Sequence, residues 1–142
     1  MDDARNAGAI LRQFVAFAFV GALGFAVDAT IFVALSDLDW TVAGARSVSA
    51  SCAIAVTWAL NRHTTFAARK SPRPSAELLR YAIGQGCGLA VNLGVFALAL
   101  WSIPLLRRVP VVALALGAGA ALVFNFVSAR TLAFRGAERR SL

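Results

Sequence analysis

Four long, nearly uncharged apolar runs constrain this chain more than anything else in it. Gln13 to Ser36 carries one charge, Asp28, and Trp40 to Leu60 carries one charge, Arg46. Tyr81 to Leu106 and Val109 to Ala129 carry none. A helix needs about 20 apolar residues to cross a hydrocarbon core of roughly 30 Å, and each run is long enough to span. Little of the 142-residue chain is left for an aqueous domain. Composition agrees: 59% of residues are hydrophobic and 15% charged, with a mean hydropathy of +0.71. Soluble domains average about 45–50% and about 25%. The surplus excludes disorder, and two cysteines are too few for a secreted disulfide scaffold. The first run is too long for the apolar part of a signal peptide and carries an acid, so it reads as a span.

The connections give the expected topology. Ser36 to Asp39 is short enough to make the first two helices an antiparallel hairpin, and Ser102 to Arg108 makes a second. Between them His63 to Ser75 is polar and contains Ser71-Pro72-Arg73-Pro74-Ser75, where the prolines stop a helix and favour extended backbone. Glu77 and Leu78 then begin the entry to the third span. The chain is thus expected to be a single all-α integral membrane domain. Hairpin 1 covers about 13–62, a basic loop about 63–79, hairpin 2 about 80–132 and a tail 133–142.

Charge sorting orients it. Arg5, Arg12, Arg62, Arg69, Lys70, Arg73, Arg80, Arg130, Arg135, Arg139 and Arg140 fall on one side; Arg107 and Arg108 fall on the other. The positive-inside rule puts the eleven, and both termini, in the cytoplasm. The net charge of +7 is then explained by topology and by attraction to anionic lipid, and nucleic acid is not an expected partner.

The two hairpins resemble each other. Gly24-Phe25-Ala26-Val27-Asp28 matches Gly88-Leu89-Ala90-Val91-Asn92 at an offset of 64, continued by Phe32 and Phe96. Arg62 and Phe66 match Arg130 and Phe134 at an offset of 68. Both copies would run in–out–in, which makes them parallel repeats. Repeats of this kind build some transporters, with substrate held at the repeat interface.

Asn61-Arg62-His63-Thr64-Thr65-Phe66, Asn125-Phe126 followed by Arg130 and Phe134, Val20-Gly21 ahead of Asp28, and Arg80-Tyr81 ahead of Asn92 resemble the GtrA-like family. The resemblance covers about Phe14 to Phe134. It departs from the family pattern two residues after each arginine, where Thr64 and Leu132 replace an aromatic. The resemblance implies a small four-helix protein of the bacterial inner membrane. It also implies a role in moving undecaprenyl-phosphate-linked sugar across that membrane.

Seven residues are candidates for substrate contact. A carboxylate at membrane depth costs about 2.5–3.5 kcal/mol on insertion scales, so Asp28 needs a partner. Arg46 lies at nearly the same depth across the tight turn, and the two are expected to form an ion pair lining a polar cavity. Asn92 is the uncharged counterpart of Asp28, suited to hydrogen bonding across helices. Arg62 and Arg130 end the second and fourth helices, where a cation suits the helix dipole. Their planar guanidinium groups also grip phosphate through two parallel bonds. Asn61 and Asn125 stand close by and would donate to sugar or phosphate oxygens. Arg107 and Arg108 read as interfacial anchors, Trp40, Tyr81, Trp101 and Trp58 as an aromatic belt, and Cys52 and Cys87 as small apolar residues.

The sequence has no phosphate-binding glycine loop with its lysine, no Cys/His metal cluster and no nucleophile with an evident base. No enzyme activity, cofactor or metal is therefore expected. The leading expectation is a flippase-like carrier of polyprenyl-phosphate-linked sugar. Gly84, Gly86, Gly88, Gly117 and Gly119 read as helix-packing residues, Gly84 and Gly88 at a spacing that lets backbones approach, and a homodimer with a glycine-rich interface is expected among membrane lipids. The alternatives are an accessory protein that recruits a glycosyltransferase through the basic loop, and a small proton-coupled exporter. A carboxylate already engaged by a fixed cation is poorly suited to the last.

Overall fold

In a computed structural model the described residues, 2–136, form helices and turns and no strand. Four long helices follow in order: α1 (Asp2–Ser36), α2 (Val42–His63), α3 (Pro74–Ser102) and α4 (Pro110–Ser128). Short 3₁₀ turns occupy Ala67–Arg69 and Pro104–Arg107, and α4 runs on into a π turn, Ala129–Ala133. Three segments, Arg5–Ser36, Pro74–Ser102 and Pro110–Ala133, are long and apolar enough to cross a membrane. The α2 helix is 22 residues long, but Arg46, three serines, Thr57, Asn61 and Arg62 make it markedly more polar. The chain divides into two compact units, one ending at Lys70 and the other beginning at Ser71. Each is a helical hairpin.

Local chemistry fixes the turn of the first hairpin. The Trp40 N–H donates to Leu35 O and the Asp39 N–H to Ser36 O, each at 3.2 Å. This is the paired closure of a helix C-terminus that requires a left-handed residue at its centre. Asp39 fills that position at φ 59°, which a short polar side chain tolerates better than most. Two residues later Thr41 caps α2, its Oγ1 accepting from the Gly44 N–H at 3.2 Å.

In the second hairpin, Pro110 opens α4 at a first-turn position whose N–H needs no partner. The Arg107 Nε donates to Leu100 O at 2.9 Å, one of the last carbonyls of α3 without an intrahelical donor. This gives Arg107 a capping role at the hairpin tip.

Two expected boundaries move. The α1 helix begins at Asp2, not near residue 13, because polarity ends a span but not a helix. The α3 helix begins at Pro74, three residues before the entry expected at Glu77: the second proline starts the helix instead of breaking it. The basic loop is shortened from both sides. Arg139 and Arg140, and the tail beyond residue 136, lie outside the described residues.

The sequence repeat is also a repeat of geometry. Phe17 meets Phe66 edge to face at 6.2 Å and 63°, and Tyr81 meets Phe134 at 6.1 Å and 64°. These are corresponding positions at the offsets of 64 and 68. Both hairpins also end on the same widened turn, with Phe66 N donating to Asn61 O at 2.8 Å and Phe134 N to Ala129 O at 2.9 Å. Ala45 and Ala113, another corresponding pair, are both fully buried. Tyr81 is therefore a packing residue and not part of an aromatic belt, whereas Trp40 and Trp101 are exposed.

The helices of each hairpin approach where one lacks a side chain. Gly24 lies against Thr57, Gly88 against Asn125, Gly84 against Ser128, and Gly117 against Asn92. A Cβ at Gly88 would overlap the Asn125 amide. At Gly117 it would stand 2.6 Å from the Asn92 backbone oxygen, which cannot move aside cheaply. Gly84, Gly88 and Gly117 thus pack helices together, as expected, inside the second hairpin. A Cβ at Gly86, Gly94 or Gly119 would have nothing within 4 Å.

Gly88→Ala should lower stability by about 1–3 kcal/mol, the usual cost of overpacking. Gly86→Ala, on the open face of the same helix, should be neutral or stabilising by up to about 1 kcal/mol. Thermal unfolding of the two variants in detergent micelles compares them directly.

Candidate functional site

The polar residues of the first hairpin meet as expected. Arg46 Nη1 donates to Asp28 Oδ2 at 2.6 Å, joining α2 to α1. The short Ser36–Thr41 turn brings the residues together, since each lies within about three helical turns of it. The environments of the two partners differ sharply. The Asp28 side chain is 13% exposed, while that of Arg46 is 58% exposed. Asp28 Oδ1 is buried and accepts no hydrogen bond. The guanidinium carbon of Arg46 lies 6.0 Å from the centre of the Phe32 ring, within range of a cation–π contact.

The second hairpin keeps the register and drops the charge. Asn92 corresponds to Asp28 and packs against Gly117, which corresponds to Ser49. The position of Arg46 is taken by Leu114, exposed as Arg46 is. Asn125 is the counterpart of Thr57, not of Asn61, so the two asparagines do different work. Asn61 is fully buried near the end of α2. Asn125 is half-buried against Gly88, with its Oδ1 buried and accepting no hydrogen bond.

Arg62 and Arg130 occupy corresponding places where the helices give way to the widened turns. Arg62 sits over Trp58, its guanidinium carbon 5.8 Å from the ring centre, and both arginines are half-buried. Trp58 therefore serves Arg62. His63 is exposed, with Lys70 Nζ 3.4 Å from its Nδ1.

Glu77 is the residue that sequence reasoning undervalues. It is fully buried in the first turn of α3, where a carboxylate suits the helix dipole. Its Oε2 accepts from the Ser71 N–H at 2.6 Å, and Ser71 Oγ accepts from the Arg73 N–H at 3.2 Å. This ties the end of the basic loop to the start of α3. The signal is present in the repeat: Glu77 follows Gln13, a polar residue that is itself half-buried, at the same offset as Asn92 follows Asp28. Among the described residues no group of acidic, histidine or cysteine side chains is arranged to hold a metal ion.

The comparison with known families decides the relationship. The family described as GtrA/DPMS, transmembrane domain, matches residues 16–134. The chain belongs to this family. The match runs from within α1 to Phe134, so it takes in most of both hairpins and both aromatic contacts. No curated protein matches the chain. Membership in the GtrA/DPMS transmembrane family, with several long apolar helices, makes this a membrane protein fitted to polyprenyl-phosphate sugar metabolism.

Glu77→Ala removes a buried acceptor and strands the Ser71 N–H. The charge-assisted bond is worth about 1.5–3 kcal/mol. The loop should loosen by a comparable amount. Faster hydrogen exchange at the Ser71 amide, with α1 and α2 unaffected, is the expected outcome.

Proposed function

We propose that the chain is a flippase-like carrier of undecaprenyl- or other polyprenyl-phosphate-linked sugar in the bacterial cytoplasmic membrane, serving glycosylation of cell-surface polysaccharide. The observation that carries the reading is the repeated arginine: Arg62 and Arg130 stand at the same place in two hairpins of a GtrA/DPMS family member. In this reading all four long helices span, with both termini in the cytoplasm and the repeats parallel. The greater polarity of α2 is the consequence of carrying both Arg46 and Arg62. A guanidinium at either end of one 22-residue helix lies about 24 Å from its fellow, counting about 1.5 Å per residue. That is close to the thickness of the hydrocarbon core.

Arg62 and Arg130 each bind phosphate at the inner headgroup level, and Asn61 assists at the end of α2. Asp28, Arg46, Asn92 and Asn125 supply polar contacts further into the membrane. The protein moves its substrate without chemical change and needs no cofactor. A homodimer with a glycine-rich interface belongs to this reading. One observation favours the accessory reading beside it: Glu77 holds Ser71 and, through it, the Arg73 backbone in place. The basic loop of Arg69, Lys70 and Arg73 would then recruit a glycosyltransferase.

Reconstitution in liposomes with a labelled polyprenyl-phosphate sugar tests the carrier reading. Label placed in the outer leaflet should equilibrate across the bilayer with the wild type. With Arg62→Ala/Arg130→Ala the rate should fall by at least about tenfold, the loss expected for two charge-assisted phosphate contacts. Arg69→Ala/Lys70→Ala/Arg73→Ala should leave the rate unchanged. Equal equilibration with and without protein would exclude transport.

A further inference from the structure

Arg80 is the one half-buried cation among the described residues that no protein group engages. Lys70 lies beside His63, and Arg62, Arg69 and Arg130 have partners. Glu77, three residues before Arg80, turns its Oε2 to the Ser71 N–H instead. The Arg80 Nε is buried without a hydrogen bond, so the stem of the side chain lies against the second hairpin, as long cationic side chains do at an interface. The two amino nitrogens of the guanidinium are neither bonded nor shut away, and they are the part a ligand reaches. Arg80 is also the last charge before the uncharged run from Tyr81 to Leu106, which sets it at the level of the lipid headgroups.

Beyond Arg80 the same side of α3 is apolar and open. Residues 80, 83, 87, 90 and 94 share a face at helical spacing, and Ile83, Cys87, Ala90 and Gly94 are all exposed. A Cβ at Gly94 would have nothing within 4 Å, so a flexible hydrocarbon chain has room to lie close along the helix. Gly84 and Gly88, which meet α4, stand to one side of this strip. The first hairpin lacks the combination. Ala16 stands in the place of Arg80, and the exposed Phe19 and Leu23 in those of Ile83 and Cys87. We infer that this face of α3 is a binding site for one anionic phospholipid, with its phosphodiester on Arg80 and one acyl chain along Ile83 to Gly94. A guanidinium holds phosphate oxygens through charge-assisted bonds, and an anionic headgroup neutralises the lone cation. A zwitterionic headgroup sets a second cation beside Arg80 and is held less well. The site is separate from the proposed substrate contacts: Arg62 and Arg130 form a symmetric pair at the ends of the second and fourth helices, whereas Arg80 is single and stands in the second turn of the third. It takes nothing from the carrier reading beyond the membrane setting.

Native mass spectrometry of the full chain, released from detergent micelles, counts the lipids retained. The probes are phosphatidylglycerol, phosphatidylcholine and glycerophosphoglycerol, the anionic headgroup without its chains. The wild type should retain one phosphatidylglycerol about tenfold more tightly than phosphatidylcholine, and an equal concentration of glycerophosphoglycerol should not displace it. Arg80→Gln should abolish the preference; should that variant not fold, Arg80→Met takes its place with the same expectation. Arg80→Gln/Ala16→Arg returns the cation to the corresponding place in the first hairpin and should not restore the preference, because Phe19 and Leu23 occupy the strip there. Arg62→Ala/Arg130→Ala should leave retention within about twofold of the wild type. An undiminished preference in Arg80→Gln overturns the inference, as does full recovery with Ala16→Arg, which leaves net charge as the only cause. Displacement by the bare headgroup overturns it as well, marking an ion contact without a lipid. Loss of phosphatidylglycerol in Arg62→Ala/Arg130→Ala assigns Arg80 to the substrate contacts and overturns it too. Retention of phosphatidylglycerol by a protein that moves no polyprenyl-phosphate sugar contradicts the carrier reading and upholds this site.

Discussion

Everything in this structure depends on how closely two helices of a hairpin can approach. In lipid no hydrophobic force drives apolar helices together; packing and hydrogen bonds must do it. Each hairpin solves the problem in the same way. A glycine on one helix receives a polar side chain from the other, as Gly24 receives Thr57 and Gly88 receives Asn125. Close approach also makes polar residues tolerable at depth, because the facing helix shields them. At the far end of both hairpins an aromatic pair, Phe17 with Phe66 and Tyr81 with Phe134, locks the widened turn beneath the arginine. The arginines are thereby held at a fixed point on the helix end.

Upon this shared frame the copies diverge. The first carries an ion pair, Asp28 with Arg46, and the second carries Asn92 with leucine in the opposing place. A protein built only for symmetry would have no use for the difference. The carrier we propose has one: its phosphate contact is duplicated at the arginine end of each hairpin, whereas the charge pair belongs to one copy alone.

Much of this is legible in the sequence, and for identifiable reasons. Charge-free length marks a span, and a lone carboxylate with a lone arginine at matching depth has few stable arrangements other than a pair. The repeat is visible through Asp28/Asn92 and Arg62/Arg130 because polar residues stand out against an apolar background. The glycines read as helix-packing residues, but the side chain each one receives is not assignable, since spacing alone names no partner. Tyr81 reads as an interfacial aromatic because its partner, Phe134, stands at the opposite end of the second hairpin's sequence. The start of α1 is misplaced because hydropathy reports where lipid begins, not where hydrogen bonding does. Glu77 reads as an ordinary helix-start residue, as burial of a carboxylate is a property of tertiary packing.

The central claim is that the hairpins are two copies of one packing unit whose principal difference is the charge pair at a shared register. Transplanting the pair tests it most directly. Asn92→Asp and Leu114→Arg are made singly and together, and stability is followed by chemical denaturation in micelles. The account predicts that Asn92→Asp alone is clearly destabilising and that adding Leu114→Arg recovers about 1–3 kcal/mol through coupling. A double variant no more stable than the sum of the two single losses would contradict the shared register.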